Sequence, residues 1–244
     1  QRLKNVLLIA LGQKKMFKKF IPALLHLLIY VGFVLINIEV LEIILDGFLG
    51  THRIFAPLFP GFYAHMISFF EILALGVIFS CVLFLIRRNI IHLARFKGLE
   101  MKGWAFLDGN LILLIEIILM GAILSMNAAD QLLQELDMPG YPQTGLFLVS
   151  SWLFPILKGC LPDILVIIER SAWWIHIVGI FGFTLYITYS KHLHIFMTFP
   201  NTYFSKLTPR GAMEPMPEIT TEVQMMLGIP DDRESVPPAE GFKF

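Results

Sequence analysis

Residues 62–86 read FYAHMISFFEILALGVIFSCVLFLI, a run broken by a single formal charge, Glu71. The apolar side chains show neither the one-sided stripe of a surface helix nor the alternation of a half-buried strand. A continuous apolar run of this length suits a helix crossing the hydrocarbon of a bilayer, which takes about 20 residues. Working outward, three more such blocks occupy roughly 20–48, 111–128 and 164–199. Hydrocarbon tolerates only backbones that satisfy their own hydrogen bonds, and separate blocks of this length do not suit a barrel. The expected fold is therefore an all-α integral membrane bundle with four transmembrane helices.

Composition agrees. The 244-residue chain is 56% hydrophobic, only 16% charged and of zero net charge, so nothing points to nucleic acid as a partner. Gly47 and Gly50 close the first span, and Pro57, Pro60 and Gly61 mark the turn into the second. Between the third and fourth spans lies a long connection. Its apolar segment, within 144–160, contains Pro155 and is too short to cross, so a re-entrant or interfacial helix is expected there. Cys81 and Cys160 form no CxxC pair, so the chain itself offers no cysteine-ligated cluster or structural zinc, and a disulfide between them is not expected.

Positive charge sets an expected orientation. Lys14, Lys15, Lys18 and Lys19 precede the first span, while Arg87, Arg88, Arg95, Lys97 and Lys102 follow the second. Lys191, Lys206 and Arg210 end or follow the fourth, and the opposite side carries only Arg53, Lys158 and Arg170. By the positive-inside rule both visible ends are cytoplasmic, and Trp173 and Trp174 fall at the outer boundary as interface anchors. Residues 1–19 then form a basic cytoplasmic lead-in, 20–199 the membrane domain and 200–244 a cytoplasmic tail. In that tail 220–227 suits a short amphipathic helix, and Asp231–Phe244 reads as a Pro-rich linker. The start at Gln1 and the polar end read as cuts in a longer protein.

Histidines carry the chemistry. His176 and His194 are 18 residues apart, five turns of an unbroken helix, so they would share one face about 27 Å apart. His192 would point away, and His92 lies among basic surface residues. His26 lies about two turns into the first span, near the depth of His194, so the two can sandwich one b-type haem. His176 could hold a second haem with His52 or His65, and the residues alone do not choose between them. Glu39 and Glu42 are neighbours on one helix face and are candidates for proton transfer coupled to quinone chemistry. Asn127, Asp130 and Gln131 read as a wet helix end. The alternative is a haem-free scaffold or transporter subunit with structural histidines, although neither inverted repeats nor mid-span breaks are evident.

The exit of the fourth span, SKHLHIFMTFPNTY at 190–203, together with His176, resembles the last helix of the respiratory nitrate reductase gamma subunit. Arg87-Arg88 resembles the basic end of that family's next helix. ALGQKKM at 10–16, NIEVLE at 37–42, GTHR at 50–53 and SKHLH at 190–194 are closer to heterodisulfide-reductase-related bacterial Fe–S oxidoreductases. That resemblance implies a haem b domain in the bacterial inner membrane. Such a domain passes electrons between a cytoplasmic iron–sulfur domain and the quinone pool, with an electron-transfer flavoprotein or a dehydrogenase as possible donor. The clusters would lie in a C-terminal domain beyond this chain, and a further helix would precede it. The chain would serve a quinone-linked oxidoreductase as one of its parts. The resemblance implies His26 and His194 as one axial pair. It also implies a second ligand ten residues after His26, where this chain has Ile36, so a second haem at His176 is expected to use His52, with His65 behind it.

Overall fold

A computed structural model describes residues 1–91, 98, 103–208, 211 and 216–228. His92, Arg95, Lys97, Lys102, Arg210 and the expected linker lie outside the described residues. All regular structure among the described residues is helical. Four helices are long and apolar enough to cross a membrane: α1 (Phe20–Leu49), α2 (Tyr63–Asn89), α3 (Trp104–Glu135) and α4 (Pro162–Ile187).

Local chemistry sets the ends. α1 stops at Gly50, which takes the left-handed conformation (φ 66°) that glycine adopts without strain. α4 starts with Pro162 in its first turn, where the missing N–H is no loss, and Asp163 follows to meet the helix dipole. The four helices run up and down, α1 against α2, α2 against α3 and α3 against α4. Two ends result. The His194 end gathers the start of α1 and the close of α4, and the Arg53 end gathers the α1–α2 turn and the close of α3.

The core lies where α1, α2 and α3 meet, with Ile36, Ile67, Phe70, Ala74, Val77 and Ile123 at its centre. Gly32 lets α1 approach α2 closely, since a Cβ there would sit 2.5 Å from Val77 Cγ2. Polarity is inverted relative to a water-soluble bundle. Glu39, Glu42, Glu71, Asn127 and Asp130 are buried, while Phe69, Phe79, Ile118 and Leu185 face outward. An outward apolar girdle, with the polar groups kept inside and paired with one another beside the apolar core, is the arrangement a lipid solvent favours.

Two elements differ from expectation. The fourth span does not continue to 199. α4 ends at Ile187, and after a turn at 188–190 and a single 3-10 turn, Lys191–Leu193, a separate helix α5 covers His194–Tyr203. No proline or glycine causes the break. Asp108 of α3 accepts hydrogen bonds from the Tyr186 hydroxyl, from the Ser190 hydroxyl (2.7 Å) and from the Lys191 amide (3.0 Å). Those contacts hold the chain out of helical geometry, so the whole-turn spacing of His176 and His194 does not determine their relation.

Of the re-entrant or interfacial helix expected within 144–160, the connection before α4 shows only a short helical stretch. Residues 141–147 are without regular structure, and only single turns follow at Ser150–Leu153 and Phe154–Leu157. Phe147 is fully buried, and Glu71 accepts from the amides of Val149 (2.8 Å) and Ser150 (3.1 Å). A buried loop must satisfy its donors, and Glu71 does so from inside the bundle. Residues 2–11 are helical and pack against α5, with Arg2 donating to the Tyr203 carbonyl (2.6 Å). The tail helix forms at Pro217–Met226.

Candidate functional site: a histidine pair, a His176 cavity and an Arg53 cluster

At the His194 end the turn pinned by Asp108 delivers His194 against α1. Its ring centre lies 6.5 Å from that of His26, with the planes inclined at 52°. Two imidazoles on opposite sides of one metal ion, each bonded at about 2 Å, have ring centres about 6 Å apart. His194 Nδ1 lies 3.0 Å from the Lys191 carbonyl. A carbonyl only accepts, so Nδ1 carries the proton and Nε2 is free to ligate, the second-shell arrangement of metal-bound histidines. His26 keeps a buried Nδ1 with no partner. Among the described residues no three His, Cys, Asp or Glu side chains converge on a metal-ion site, whereas this pair offers two nitrogen ligands. The pair therefore fits the bis-imidazole ligation of a haem. His192 packs beside it, 5.6 Å from His194 and 5.3 Å from Phe183. Burial first, and then the neighbouring His194 and His26, push its pKa down to about 4, so it is neutral near pH 7.

His176 is fully buried at mid-bundle. Its Nδ1 lies 2.9 Å from the Leu119 carbonyl and therefore carries the proton, while Nε2 is buried without a partner. The residue lines an apolar cavity of about 120 Å³ together with Gly32, Ile36, Glu116, Met120 and Phe196. Ile36, where the resemblance implies a ligand, thus shares a cavity with His176 but has no ligating atom. The structure brings neither expected alternative to this cavity. His52 Nε2 lies 2.8 Å from Asp130 Oδ1, and His65 is exposed, with Nδ1 3.2 Å from the Gly61 carbonyl.

At the other end Arg53 organises a polar cluster that the sequence reading missed. Asp46 accepts from the Arg53 amide (2.8 Å), the Ile54 amide (3.1 Å) and the Thr51 hydroxyl (2.6 Å), holding Arg53 at φ 57°. The guanidinium donates to Asp130 Oδ2 (2.8 and 3.0 Å) and to Asn127 Oδ1 (2.6 Å). It lies 3.7 Å from Glu39 Oε1 and stacks on Phe147. Burial alone would lower its pKa, but Tyr63, Asp130, Glu39 and Glu42 raise it well above the ordinary value, so the charge is retained. Asn127 and Asp130 are therefore fully buried partners of Arg53 and not a wet helix end. Charge balance was the available signal, since one arginine sits in the turn beside several intramembrane acids.

A cavity of about 50 Å³ lined by Glu42, Asp46, His52 and Arg53 adjoins an open one of about 790 Å³. The two share Asp46, Gly47, Thr51, His52, Arg170 and Trp173. Trp173 packs toward Gly47, and Trp174 is exposed.

No protein-family profile and no solved structure matches this chain. It is 26% identical over 241 residues to the "Probable iron-sulfur-binding oxidoreductase FadF" of Bacillus subtilis (strain 168). The match takes in 96% of this chain and 32% of that protein, so the chain spans about a third of its relative's length. The chain is thus a helical region with four membrane-length helices, distantly related to an iron–sulfur oxidoreductase.

Proposed function

We propose that the chain is a haem b-bearing membrane domain that passes electrons between an iron–sulfur module and the quinone pool. The observation that carries this reading is the His26–His194 pair, with ring centres 6.5 Å apart across α1 and α5. His26 and His194 would hold one haem through their imidazoles, and the Lys191 carbonyl orients His194 through Nδ1. His176, with its bare and buried Nε2, would be the one protein nitrogen ligand at a second site. His52 and His65 take no part in this proposal.

A bound haem supplies one-electron chemistry at iron. The protein supplies position, a low-dielectric surround and exclusion of water. The relative is described as iron-sulfur-binding, while this chain has only Cys81 and Cys160, which supports an iron–sulfur group outside it. The basic residues clustered at the His194 end support a cytoplasmic position for that end in the bacterial inner membrane. Such a chain would serve a quinone-linked oxidoreductase, with an electron-transfer flavoprotein or a dehydrogenase as donor.

The test is a dithionite-reduced minus oxidised spectrum of the purified full chain, with a haem-to-protein ratio. A b-type difference lost in His26→Ala and in His194→Ala supports the pair, and a further component lost in His176→Ala supports the second site. Haem-free protein that is folded by circular dichroism would refute the proposal and leave a membrane scaffold.

A further inference from the structure

Four carboxylates meet at the Arg53 end, and they outnumber the cations available to them. Glu39, Glu42, Glu71 and Asp130 are each at most 1% exposed, and among the described residues the one buried guanidinium is that of Arg53. With Glu169, also 1% exposed and 3.0 Å from the Arg170 guanidinium, and with half-buried His52 charged against Asp130, five carboxylates would face three cations. Unpaired buried charge is costly enough that a group protonates instead.

The donors identify which one. Asp130 accepts from His52 on one oxygen and from Arg53 and Gln134 on the other. Glu42 accepts from the Phe55 amide (2.8 Å) on Oε1 and from the Tyr63 hydroxyl (2.7 Å) on Oε2. Glu71 accepts from Asn127 (3.2 Å) on Oε1 and from the Val149 and Ser150 amides on Oε2. These six oxygens all face donors, which suits ionised carboxylates. Glu39 differs. Its Oε1 accepts from Asn127 (3.1 Å) and lies 3.7 Å from Arg53, while Oε2 is buried with no partner.

We propose that Glu39 is a proton-binding site that exchanges its proton with water at the Arg53 end of the bundle. The reaction is the protonation of a carboxylate by a water-borne proton and its reversal, with no electron transferred. Arg53 and Asn127 face Glu39 from the α1–α2 turn and from α3, Glu71 and Tyr63 from α2, and Glu42 from its own helix. The route runs past Glu42, one turn along the same face, into the small cavity that shares Asp46, Thr51 and His52 with the open one. The proposal stands whether or not the chain binds haem.

Infrared difference spectroscopy of the full chain in nanodiscs tests it, with Glu39→Gln subtracted from wild type. The expected result is loss of one protonated-carboxyl band per chain. That band should shift in deuterium oxide and diminish as pH is raised. No lost band, or a lost band indifferent to both deuterium and pH, would overturn the proposal. If Glu39→Gln does not fold, Glu39→Asp must move the band and its midpoint, and an unmoved band overturns the proposal equally. Thr51→Trp, in the wall shared by the cavities, should slow the deuterium shift several-fold. An unchanged rate removes the cavity as the route.

Discussion

Removing the Asp108 carboxylate should detach His194 from His26 while leaving the four long helices intact. In Asp108→Ala the Tyr186 hydroxyl, the Ser190 hydroxyl and the Lys191 amide lose their acceptor together. Hydrogen bonds to a charged group are worth about 1.5–3 kcal/mol each. The phenol and the Lys191 amide are only partly buried and can turn to water, whereas the Ser190 hydroxyl is buried. The expected cost to the turn is therefore nearer two such bonds than three, about 3 kcal/mol. A cost of this size is about a 150-fold shift in equilibrium, and it falls on the segment that presents His194. Haem content of the purified variant should drop, and any haem retained should show a weakened low-spin signal in electron paramagnetic resonance. Far-ultraviolet circular dichroism should stay near wild type, because the long helices pack mainly through apolar side chains, and Asp108 faces α2 only through the Arg88 guanidinium. Asp108→Asn should be milder, since its amide oxygen can face the Lys191 N–H while its NH2 donates to the two hydroxyls. Wild-type haem content and an unchanged low-spin signal in Asp108→Ala would refute the view that this carboxylate positions the ligand.

Three further outcomes follow from the packing and the charges. Gly32→Ala forces its new methyl toward Val77 Cγ2 and should cost about 1–3 kcal/mol in a detergent melt. Val77→Ala in the same chain should recover part of that loss, and strictly additive losses would rule out the contact as the cause. Glu71→Ala strips the acceptor from the buried Val149 and Ser150 amides and should cost about 2–4 kcal/mol. Hydrogen exchange across 147–153 should accelerate, and unchanged protection there would sink the idea that Glu71 anchors the loop. Burial, and then the Glu169 carboxylate, raise the Tyr141 phenol above its ordinary value of about 10. A raised phenol favours the fold below the unfolded pKa, and that contribution is lost as pH rises through the folded value. Phenolate absorbance should therefore show a late-titrating tyrosine that is missing in Tyr141→Phe, where the alkaline loss of stability should also be smaller.

The long helices were legible because their signal is local. A run such as 62–86 has one viable fate in lipid, and Gly50 and Pro162 mark ends through their own backbone preferences. The break after Ile187 was not legible. Its cause is Asp108, some 80 residues earlier, and Thr188-Tyr189-Ser190 contains no residue that must end a helix. The meeting of His26 with His194 was anticipated from depth and resemblance, although the chain reaches it through a pinned turn and not along a continuous helix. Depth along a span points to His52 as a ligand but says nothing about its neighbours, and its partner Asp130 comes from a helix 78 residues away. Arg53 was counted only as one charge in a turn. Its burial depends on Asp46 folding the turn inward, which composition does not record.

The Arg53 cluster has a consequence for biogenesis. The first helix brings Glu39 and Glu42 to it, the second Glu71, and the third Asn127 and Asp130. Each of these side chains is expensive in hydrocarbon while its helix stands alone. Arg53 emerges with the first turn, but Asp130 and Asn127 reach it only after the third helix has been threaded. A nascent chain stalled at two helices already pairs Glu42 with the Phe55 amide and the Tyr63 hydroxyl. It holds Arg53 without Asp130, however, and both Glu39 and Glu71 without Asn127. The third helix supplies these, leaving only the Val149 and Ser150 amides to reach Glu71 afterwards. Completion of the third helix becomes the step at which insertion turns favourable, and membrane proteases have a chemical mark by which to distinguish an unfinished bundle from a finished one.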